Sequence, residues 1–404
     1  MIDVKTKEFW KATTALGAAS FLIFANMYFP QPLLPLFTEE FAISEAASSL
    51  IISVALFVLG ISFFIYTALS DAFGRRSIIF IAMALGTIGT LAISAAPSFG
   101  WLLAARIFQA AALAGIPVAA MAYISEEYKK KAMAAAIGIY ISCNSVGGMG
   151  GRVLSGVLTD LWNWRIAFVV MAVCSFLLFV LVYILLPKSQ QFTARPFQLR
   201  EVLHDNKDHL KNPVMRYAYI IGGLHFLVFI GIFNFITYYL SGDPFFVSTA
   251  VLGLLFLTYG AGTVSSTLAG KAAQIWKQTS AVFIGVALMV LAVVLTLIPS
   301  FPVIIGALLI LSFGFFFAHS TSSAWVTRHA DKAKASASGL YLTSYYLGGS
   351  LGSLYYGWLW PAFGWFGMVS GSLLVLVITY LCTKKLAVME ESELHSSTIV
   401  RQSV

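Results

Sequence analysis

Twelve apolar runs of about twenty residues follow one another along the chain and constrain its fold more than any other feature. A helix rises 1.5 Å per residue, so a run of this length crosses the roughly 30 Å hydrocarbon core of a bilayer. Inside lipid the main-chain polar groups must bond to one another, which a helix achieves within one segment. The sequence therefore predicts an all-α membrane protein with twelve transmembrane helices, or spans. Their predicted centres are Met27, Phe57, Gly86, Leu113, Ser145, Ser175, Val228, Phe256, Met289, Phe313, Leu347 and Leu373.

One long polar segment, 188–213, divides the twelve spans into two sets of six. We predict an N-terminal six-helix bundle over 1–187, a cytoplasmic linker over 188–213, a C-terminal six-helix bundle over 214–383 and a cytoplasmic tail over 384–404. The linker contains the cluster HDNKDH at 204–209. In such a polar context this cluster fits a solvated helix face better than a metal site.

The positive charges predict the orientation of the chain. Short loops rich in Lys and Arg stay on the cytoplasmic side of a membrane. With the N-terminus inside, all but three of the 25 Lys and Arg residues fall in cytoplasmic loops and tails. Both termini are therefore predicted to be cytoplasmic. The formal net charge of +8 is a topology signal and does not indicate a nucleic-acid partner.

An internal repeat relates the two sets of spans. The repeated positions, at an offset of 201 residues, are Lys131, Ala132, Ala136, Gly138, Tyr140, Gly147, Gly148, Gly151, Gly156, Leu158 and Trp164, which recur as Lys332, Ala333, Ala337, Gly339, Tyr341, Gly348, Gly349, Gly352, Gly357, Leu359 and Trp365. Spans five and eleven are thus copies. The repeat is parallel, because an even number of spans separates the copies. Two such halves can enclose a cavity at the bilayer midplane, which is how alternating access is arranged.

Two motifs precede the repeated helix. After span two comes TALSDAFGRRS, which resembles the loop signature of the major facilitator superfamily, with Thr67 in place of a glycine and Ala72 in place of an arginine. Its matching residues are Asp71, Gly74, Arg75 and Arg76. Span four contains RIFQA, which is similar to the Arg-x-x-Gln-Gly element of the same family through Arg106 and Gln109.

Span five carries the third motif. It resembles the antiporter signature of the family, with Arg152 where proline is usual; the matching glycines are Gly138, Gly147, Gly151 and Gly156. The segments YISCNSVGGMGGR, NWRIAF and SYYLGGS are similar to the YnfM-type, or acriflavine-sensitivity, branch of bacterial drug:proton antiporters. The resemblance covers essentially the whole chain.

This resemblance implies a major facilitator fold in the bacterial inner membrane, with two pseudo-symmetric halves. It also implies secondary active transport: export of a small organic solute, such as a drug-like compound, sugar or metabolite, by proton antiport. We expect a monomer that needs no cofactor or metal. The sequence lacks a Walker motif, so the energy for transport is expected to come from an ion or substrate gradient. No cluster of acids, histidines or nucleophiles converges within the spans, so we do not expect an enzyme. A proton-coupled uptake symporter and a transporter-like sensor without turnover remain alternatives.

Polar and aromatic residues within the spans are the candidates for the substrate cavity. They are Asn26, Tyr28, Gln31, Arg106, Gln109, Asn144, His225, Asn234, Tyr238, His319 and Tyr345. Arg106 is favoured because Gln109 lies one turn later and faces the same way. Aromatic faces suit cationic compounds, whereas a basic cavity without embedded acids favours anionic or neutral solutes; both remain open.

The coupling proton has several candidate carriers. His225 and His319 can exchange protons near neutral pH, although a histidine inside a bundle is more often a hydrogen-bonded packing residue. Asp71 or the Glu39 and Glu40 pair could titrate instead.

The remaining motif residues suggest gates. Asp71, Arg75 and Arg76 lie at the cytoplasmic end of span two, near the predicted start of span eleven at about Lys334, where a carboxylate is favoured beside a helix N-terminus. The alternative is a loop that only sets topology. The glycines of span five allow close packing and sliding of helices. Arg152 could anchor at the outer interface, pair with Asp160 or bind substrate.

Overall fold

The computed structural model describes residues 1–4, 6–194, 197, 207–330 and 334–402, and most of them are helical. The helices are α1 (Lys7–Tyr28), α2 (Leu34–Glu40), α3 (Glu45–Phe73), α4 (Arg75–Ser94), α5 (Phe99–Leu113), α6 (Gly115–Glu127), α7 (Lys130–Leu161), α8 (Trp164–Leu185), α9 (Pro213–Ser241), α10 (Thr249–Leu254), α11 (Tyr259–Ile275), α12 (Gln278–Leu295), α13 (Phe301–His329) and α14 (Lys334–Gln402). Short 3₁₀ turns, Gln31–Leu33 and Leu255–Thr258, follow α1 and α10.

Within the described residues, eleven helical segments are long and apolar enough to cross a membrane. The last of these segments, Ser336–Glu391, covers two predicted spans. Gly364 breaks α14 there with φ 55° and ψ −145°, three residues after Pro361. Glycine adopts positive φ without steric cost, so a single residue turns the chain between spans eleven and twelve. The prediction of an all-α membrane protein is confirmed.

Side-chain caps start four of the helices that run inward from the predicted outer side. The capping residues are Ser44, Ser98, Asn163 and Ser248, and each accepts a hydrogen bond from the N–H three residues later. Such a cap satisfies one of the four unpaired N–H groups at a helix start and contributes about 1 kcal/mol. The short polar loops thus fix where these spans begin.

Contacts divide the chain into two compact units. The first contains Met1–Val202 with Ile236–Leu257, and the second contains Leu203–Phe235 with Thr258–Val404. The end of α9 and all of α10 therefore pack with the first unit, although they follow the linker in sequence. The predicted domain boundaries follow the sequence repeat and remain a prediction.

Five residues of the sequence motifs lie outside the described residues. They are residues 204–206 of the cluster HDNKDH and the repeat positions Lys332 and Ala333.

The repeated glycines make equivalent helix crossings in the two units. A Cβ on Gly147 would meet the Phe21 carbonyl oxygen of α1 at less than van der Waals distance. In the second unit, a Cβ on Gly348 of α14 would meet the Gly223 carbonyl oxygen of α9 at less than van der Waals distance. Both crossings bring backbone against backbone, which only residues without a bulky side chain allow. The repeat in the sequence is therefore also a repeat in packing.

The glycines of α7 give a matched test of this packing. Gly147→Ala is expected to lower the thermal unfolding temperature of the purified protein, because overpacking costs about 1–3 kcal/mol. Gly138→Ala, on the same helix, places its Cβ where no other group lies within 4 Å. This control should leave the unfolding temperature unchanged or raise it, since alanine is favoured over glycine in helices by about 1 kcal/mol. Equal effects of the two substitutions would contradict the packing role of Gly147.

Candidate functional site

A buried polar network joins α1, α4, α5 and α8 inside the first unit. Arg106 and Gln109 are 0% exposed, and Arg106 donates to the Gln109 side-chain oxygen at 2.5 Å. The Gln109 amide nitrogen donates to Thr90 Oγ1 at 2.6 Å and to Asn26 Oδ1 at 3.2 Å. The Asn26 amide nitrogen donates in turn to Ser175 Oγ at 3.0 Å. Hydrogen bonds are strong in such a low-dielectric interior, so the network holds these side chains in one arrangement.

Arg106 also holds the irregular end of α1. Its guanidinium donates to the carbonyl oxygens of Asn26 at 3.2 Å and Met27 at 2.8 Å, and to that of Ile51 on α3 at 3.2 Å. The helical partner of the Asn26 carbonyl would be the N–H of residue 30, but Pro30 has none. Arg106 supplies the missing donor. A contact between Arg106 and substrate remains a prediction.

Arg152 is enclosed between two aromatic rings. Its guanidinium carbon lies 4.1 Å from the centre of the Tyr28 ring and 4.6 Å from that of Phe256. Its Nε donates to the Gln31 side-chain oxygen at 2.7 Å, and its Nη1 donates to the Gly148 carbonyl at 2.8 Å. Arg152 is 1% exposed. A side chain that reached the lipid headgroups would instead hold its charged end in water, so the anchor interpretation does not fit this geometry.

The last glycine of the span-five motif contacts α10. A Cβ on Gly156 would lie 2.5 Å from the Thr249 carbonyl oxygen and 3.1 Å from the Gly253 Cα. A Cβ on Gly253 would lie 2.7 Å from the carbonyl oxygen of Arg152. The two helices therefore meet backbone to backbone at their predicted outer ends, next to the backbone of Arg152.

Two further cavity candidates bond within the first unit. Tyr238, at the end of α9, is 8% exposed, and its hydroxyl donates to the Glu45 carbonyl at 3.3 Å. Asn144 is partly exposed on α7, and its side-chain oxygen accepts a hydrogen bond from the Ser20 hydroxyl of α1. The predicted outer end of the first unit thus contains Tyr238, whereas Asn144 lies at the crossing of α1 and α7.

The predicted cytoplasmic gate residues form a charge cluster that joins α3, α4 and α6. Asp71 pairs with Arg75 at 2.5 Å, and Arg75 pairs with Glu126 at 2.6 Å. Arg75 also donates to the Ser70 hydroxyl at 2.9 Å. Gly74 separates α3 from α4 at a φ of 91°, which turns the chain so that these charges meet.

Arg76 has a different set of partners from Arg75. It donates to the Leu186 carbonyl at 2.9 Å, beyond the end of α8, and its guanidinium lies 4.7 Å from the Phe80 ring centre. The predicted contact of Asp71 with the start of span eleven involves a region where residues 331–333 lie outside the described part. The gate therefore remains a prediction.

An aromatic cluster fills much of the interior of the second unit. It consists of Phe226, Phe229, Phe233, Tyr259, Phe315, Phe316, His319, Tyr345 and Tyr346. Phe226 stacks on Tyr345, and Phe229 stacks on Phe315, with ring centres 3.8 Å apart in both pairs. Stacked aromatic pairs contribute about 0.5–1.5 kcal/mol beyond their buried area.

Two histidines lie at this cluster in different environments. His319 is partly exposed, and its Nδ1 lies 3.0 Å from the Tyr341 hydroxyl oxygen. His225 is 0% exposed, and neither of its ring nitrogens has a hydrogen-bond partner among the residues that the structure describes. A buried polar group without a partner costs about 1–3 kcal/mol, so the presence of His225 calls for a functional explanation.

Asn234 shows how the two units differ at an equivalent place. Its amide nitrogen donates to Ser353 Oγ at 3.1 Å. Ser353 is the repeat equivalent of Arg152, whose side chain bonds to Gln31. In the second unit a polar pair thus joins the glycine-rich helix α14 to α9. In the first unit a polar pair joins the glycine-rich helix α7 to the turn after α1. Only the first unit uses a charged residue in that bridge.

The sequence reasoning missed four residues that complete these sites. They are Thr90, Glu126, Phe256 and Tyr341, which contact Gln109, Arg75, Arg152 and His319 respectively. Glu126 lies in the last turn of α6. No spacing in the sequence relates the other three to their partners.

The amino-acid sequence matches a known protein family and several known transporters. The family described as "Major Facilitator Superfamily" matches residues 16–353. The inner membrane transport protein YnfM of Escherichia coli (strain K12) is 35% identical over 381 residues, which cover 94% of this chain and 91% of that protein. The MFS-type transporter YybF of Bacillus subtilis (strain 168) is 34% identical over 373 residues, 92% of each protein. The resemblance to YnfM-type transporters is confirmed.

Solved structures show the same fold. A bacterial homologue of the human lysosomal transporter Spinster, in an inward-facing and occupied conformation, superposes with a TM-score of 0.76 at 18% identity, covering 93% of this chain and 96% of that one.

The multidrug resistance protein Stp of Mycobacterium tuberculosis (strain CDC 1551 / Oshkosh) is 34% identical over 188 residues, which cover 46% of this chain and 35% of that protein. The chain therefore belongs to the Major Facilitator Superfamily and is a multi-pass membrane transporter, not an enzyme.

Proposed function

We propose that this transporter exports a small organic solute across the bacterial inner membrane in exchange for protons, by alternating access, as a monomer with both termini in the cytoplasm. The observation that carries the proton step is the buried His225, which lacks a hydrogen-bond partner among the described residues. Ionisable residues at membrane depth mark ion and substrate pathways. An imidazole can take up and release a proton near neutral pH.

The aromatic cluster supports an amphipathic solute with a flat ring system. Tyr259, Phe316 and Tyr345 are partly exposed members of the cluster, so part of each side chain reaches the surface of the unit. Pockets for organic ligands combine such apolar surface with a few polar groups, here His319 and the Tyr341 hydroxyl. The name of the relative Stp, a multidrug resistance protein, supports a drug-like compound.

The glycine contact between α7 and α10 supports a role as the outer gate. A backbone contact can open without the rearrangement of interlocked side chains, and small residues are typical of such interfaces in membranes. In the proposed cycle, Gly156 and Gly253 separate when the outer side opens, and Phe256 leaves the Arg152 guanidinium. The Asp71, Arg75 and Glu126 cluster would act as the gate on the opposite side.

The proton step predicts a specific defect. His225→Gln should abolish solute-driven proton movement in proteoliposomes while solute binding is retained, because an amide cannot exchange a proton near neutral pH. Proton movement is measured with a pH-sensitive dye in the lumen, and binding by the thermal shift of the purified variant. His209→Gln, in the polar linker, is the control and should behave as the unsubstituted protein. Retained coupling in His225→Gln would exclude this site.

Export itself needs an identified solute. A thermal-shift screen of the purified protein against a panel of cationic, neutral and anionic compounds supplies candidates. Inside-out vesicles with an acidified lumen should then accumulate the solute. Loss of accumulated solute under the same gradient would indicate uptake by symport, and binding without any flux would indicate a sensor.

A further inference from the structure

A basic recess lies at the predicted cytoplasmic end of the second unit. This cavity of about 280 Å³ is lined by Trp276, Lys277, Gln278, Arg328, His329 and Glu390. The three basic side chains come from two separate parts of the chain, the connection between α11 and α12 and the end of α13. The acidic residue comes from the far end of α14. The recess therefore places three basic side chains around the acidic side chain of Glu390.

Two glutamates of α14 contact the recess. Glu391 pairs with Lys277 at 2.7 Å, but both side chains are more than 60% exposed, at 63% and 67%. Glu390 lies 3.3 Å from His329 Nε2, and these two side chains are only 20% and 31% exposed. Exposed ion pairs are screened by water and contribute little. Of the two ion pairs, the one between Glu390 and His329 is therefore the stronger contact of this part of α14.

The geometry of His329 fixes its protonation state in this contact. Its Nδ1 lies 2.9 Å from the Trp325 carbonyl oxygen, and its ring stacks on the Trp325 ring with centres 4.0 Å apart. A carbonyl oxygen only accepts hydrogen bonds, so Nδ1 must carry a proton. In a neutral imidazole Nε2 would then be a bare acceptor facing a carboxylate. The contact with Glu390 is attractive only when Nε2 is protonated too, so that the ring is a cation.

We propose that the basic recess is a docking surface for the chain's own acidic segment at Glu390 and Glu391, and that docking requires His329 to be protonated. The segment is docked at mildly acidic pH and is released as pH rises and Nε2 loses its proton. This inference concerns the conformation of α14 and does not depend on the solute or on the direction of transport.

The other charges around the recess do not titrate in the same range. Arg328 stays charged at all physiological pH values. The hydrogen bond with Glu391 raises the pKa of Lys277, so Lys277 also keeps its charge. Carboxylates such as Glu390 are ionised above about pH 5. Residues 331–333 lie outside the described part of the chain. Among the groups described, His329 is therefore the one that changes charge between about pH 6 and 8.

Packing limits how much of α14 can be released. Leu386 is 4% exposed and lies close to Trp325 and Gln278 around a small apolar cavity. This contact is independent of pH, so α14 should stay in place as far as Leu386. The residues that respond are those beyond it, beginning with Ala387 and Val388.

Distances between spin labels test the proposal directly. The native cysteines Cys143, Cys174 and Cys382 are replaced by serine, and labels are attached at Ser280→Cys on α12 and Val388→Cys on α14, both exposed positions. Pulsed electron paramagnetic resonance then measures the label separation at about pH 5.5 and about pH 8.5, on either side of the imidazole range. We expect one narrow distribution at the lower pH and a broader, longer one at the higher pH.

Three variants of the labelled protein decide the outcome. His329→Lys keeps a positive charge at both pH values and should give the narrow distribution at both. His329→Gln can donate a hydrogen bond but cannot titrate, so its distribution should not change with pH. Glu391→Gln removes only the exposed pair and should keep the pH response. An unchanged distribution in the parent protein, or a pH response that persists in His329→Lys, would overturn the proposal.

Discussion

Replacing Arg106 by alanine is expected to cost most of the stability of the folded transporter. The substitution leaves the Asn26 carbonyl without a donor beside Pro30, and an unpaired buried acceptor costs about 1–3 kcal/mol. It also opens a cavity at a site that is 0% exposed, and truncating a large buried side chain costs about 2–5 kcal/mol. Total stabilities of folded proteins are about 5–15 kcal/mol. A thermal unfolding curve followed by size-exclusion chromatography measures the loss.

Two further variants separate this effect from a general loss of charge. Arg106→Lys keeps the charge but cannot reach several acceptors at once, so it should recover only part of the stability. Arg216→Ala removes an exposed arginine on α9 and should change stability by less than about 0.5 kcal/mol. If Arg106→Ala unfolds at the temperature of Arg216→Ala, the irregular end of α1 does not depend on this guanidinium.

Replacing Arg152 by alanine is expected to open the predicted outer side and to reduce transport at least tenfold. A desolvated cation–π contact is worth about 2 kcal/mol, and Arg152 has aromatic rings on two sides. Every 1.4 kcal/mol changes an equilibrium tenfold, so loss of these contacts should shift a balanced pair of states strongly. A cysteine at Ser155, which is 0% exposed on α7, reports opening through its reaction with a membrane-impermeant maleimide, after the native cysteines have been replaced.

Controls for Arg152 distinguish the gate from packing. Ser142→Ala changes an exposed residue on the same helix and should leave maleimide labelling and transport unchanged. Arg152→Lys keeps the charge but not the flat guanidinium that stacks between rings, so it should show an intermediate rate of labelling. Arg152→Ala with unchanged labelling and unchanged transport would remove Arg152 from the gate.

The span pattern and the repeat could be predicted because both depend on local composition. An apolar run of about twenty residues is long enough to cross the bilayer at any position in the chain. A helix face of glycines packs closely against a neighbouring helix. The spacing of Arg106 and Gln109 correctly indicated that they share one helix face, since residues three apart are neighbours. In the same way, Asp71 and Arg75 are four apart and form a pair.

The partners of these residues could not be predicted, because they depend on how helices rotate and cross. Depth in the membrane is set by position along a span, but the direction of a side chain around the helix axis is set by tertiary packing. Arg106 and Arg152 both lie within predicted spans, whereas their surroundings differ. Arg106 bonds to carbonyl oxygens, and Arg152 lies between aromatic rings of α1 and of the turn after α10. Nothing in the spacing of residues 152 and 256 indicates that contact.

The single-residue turn at Gly364 has a practical consequence for molecules that approach from the predicted outside. It leaves no loop between spans eleven and twelve to which an antibody or a protease could bind. The other connections on that side are short, and the longest non-helical stretch is 242–248, between α9 and α10. A binder raised against this face would therefore be directed to that segment, which adjoins the contact of α10 with α7. Such a binder would hold the proposed outer gate open or closed, and would be a tool for trapping one state of the transporter.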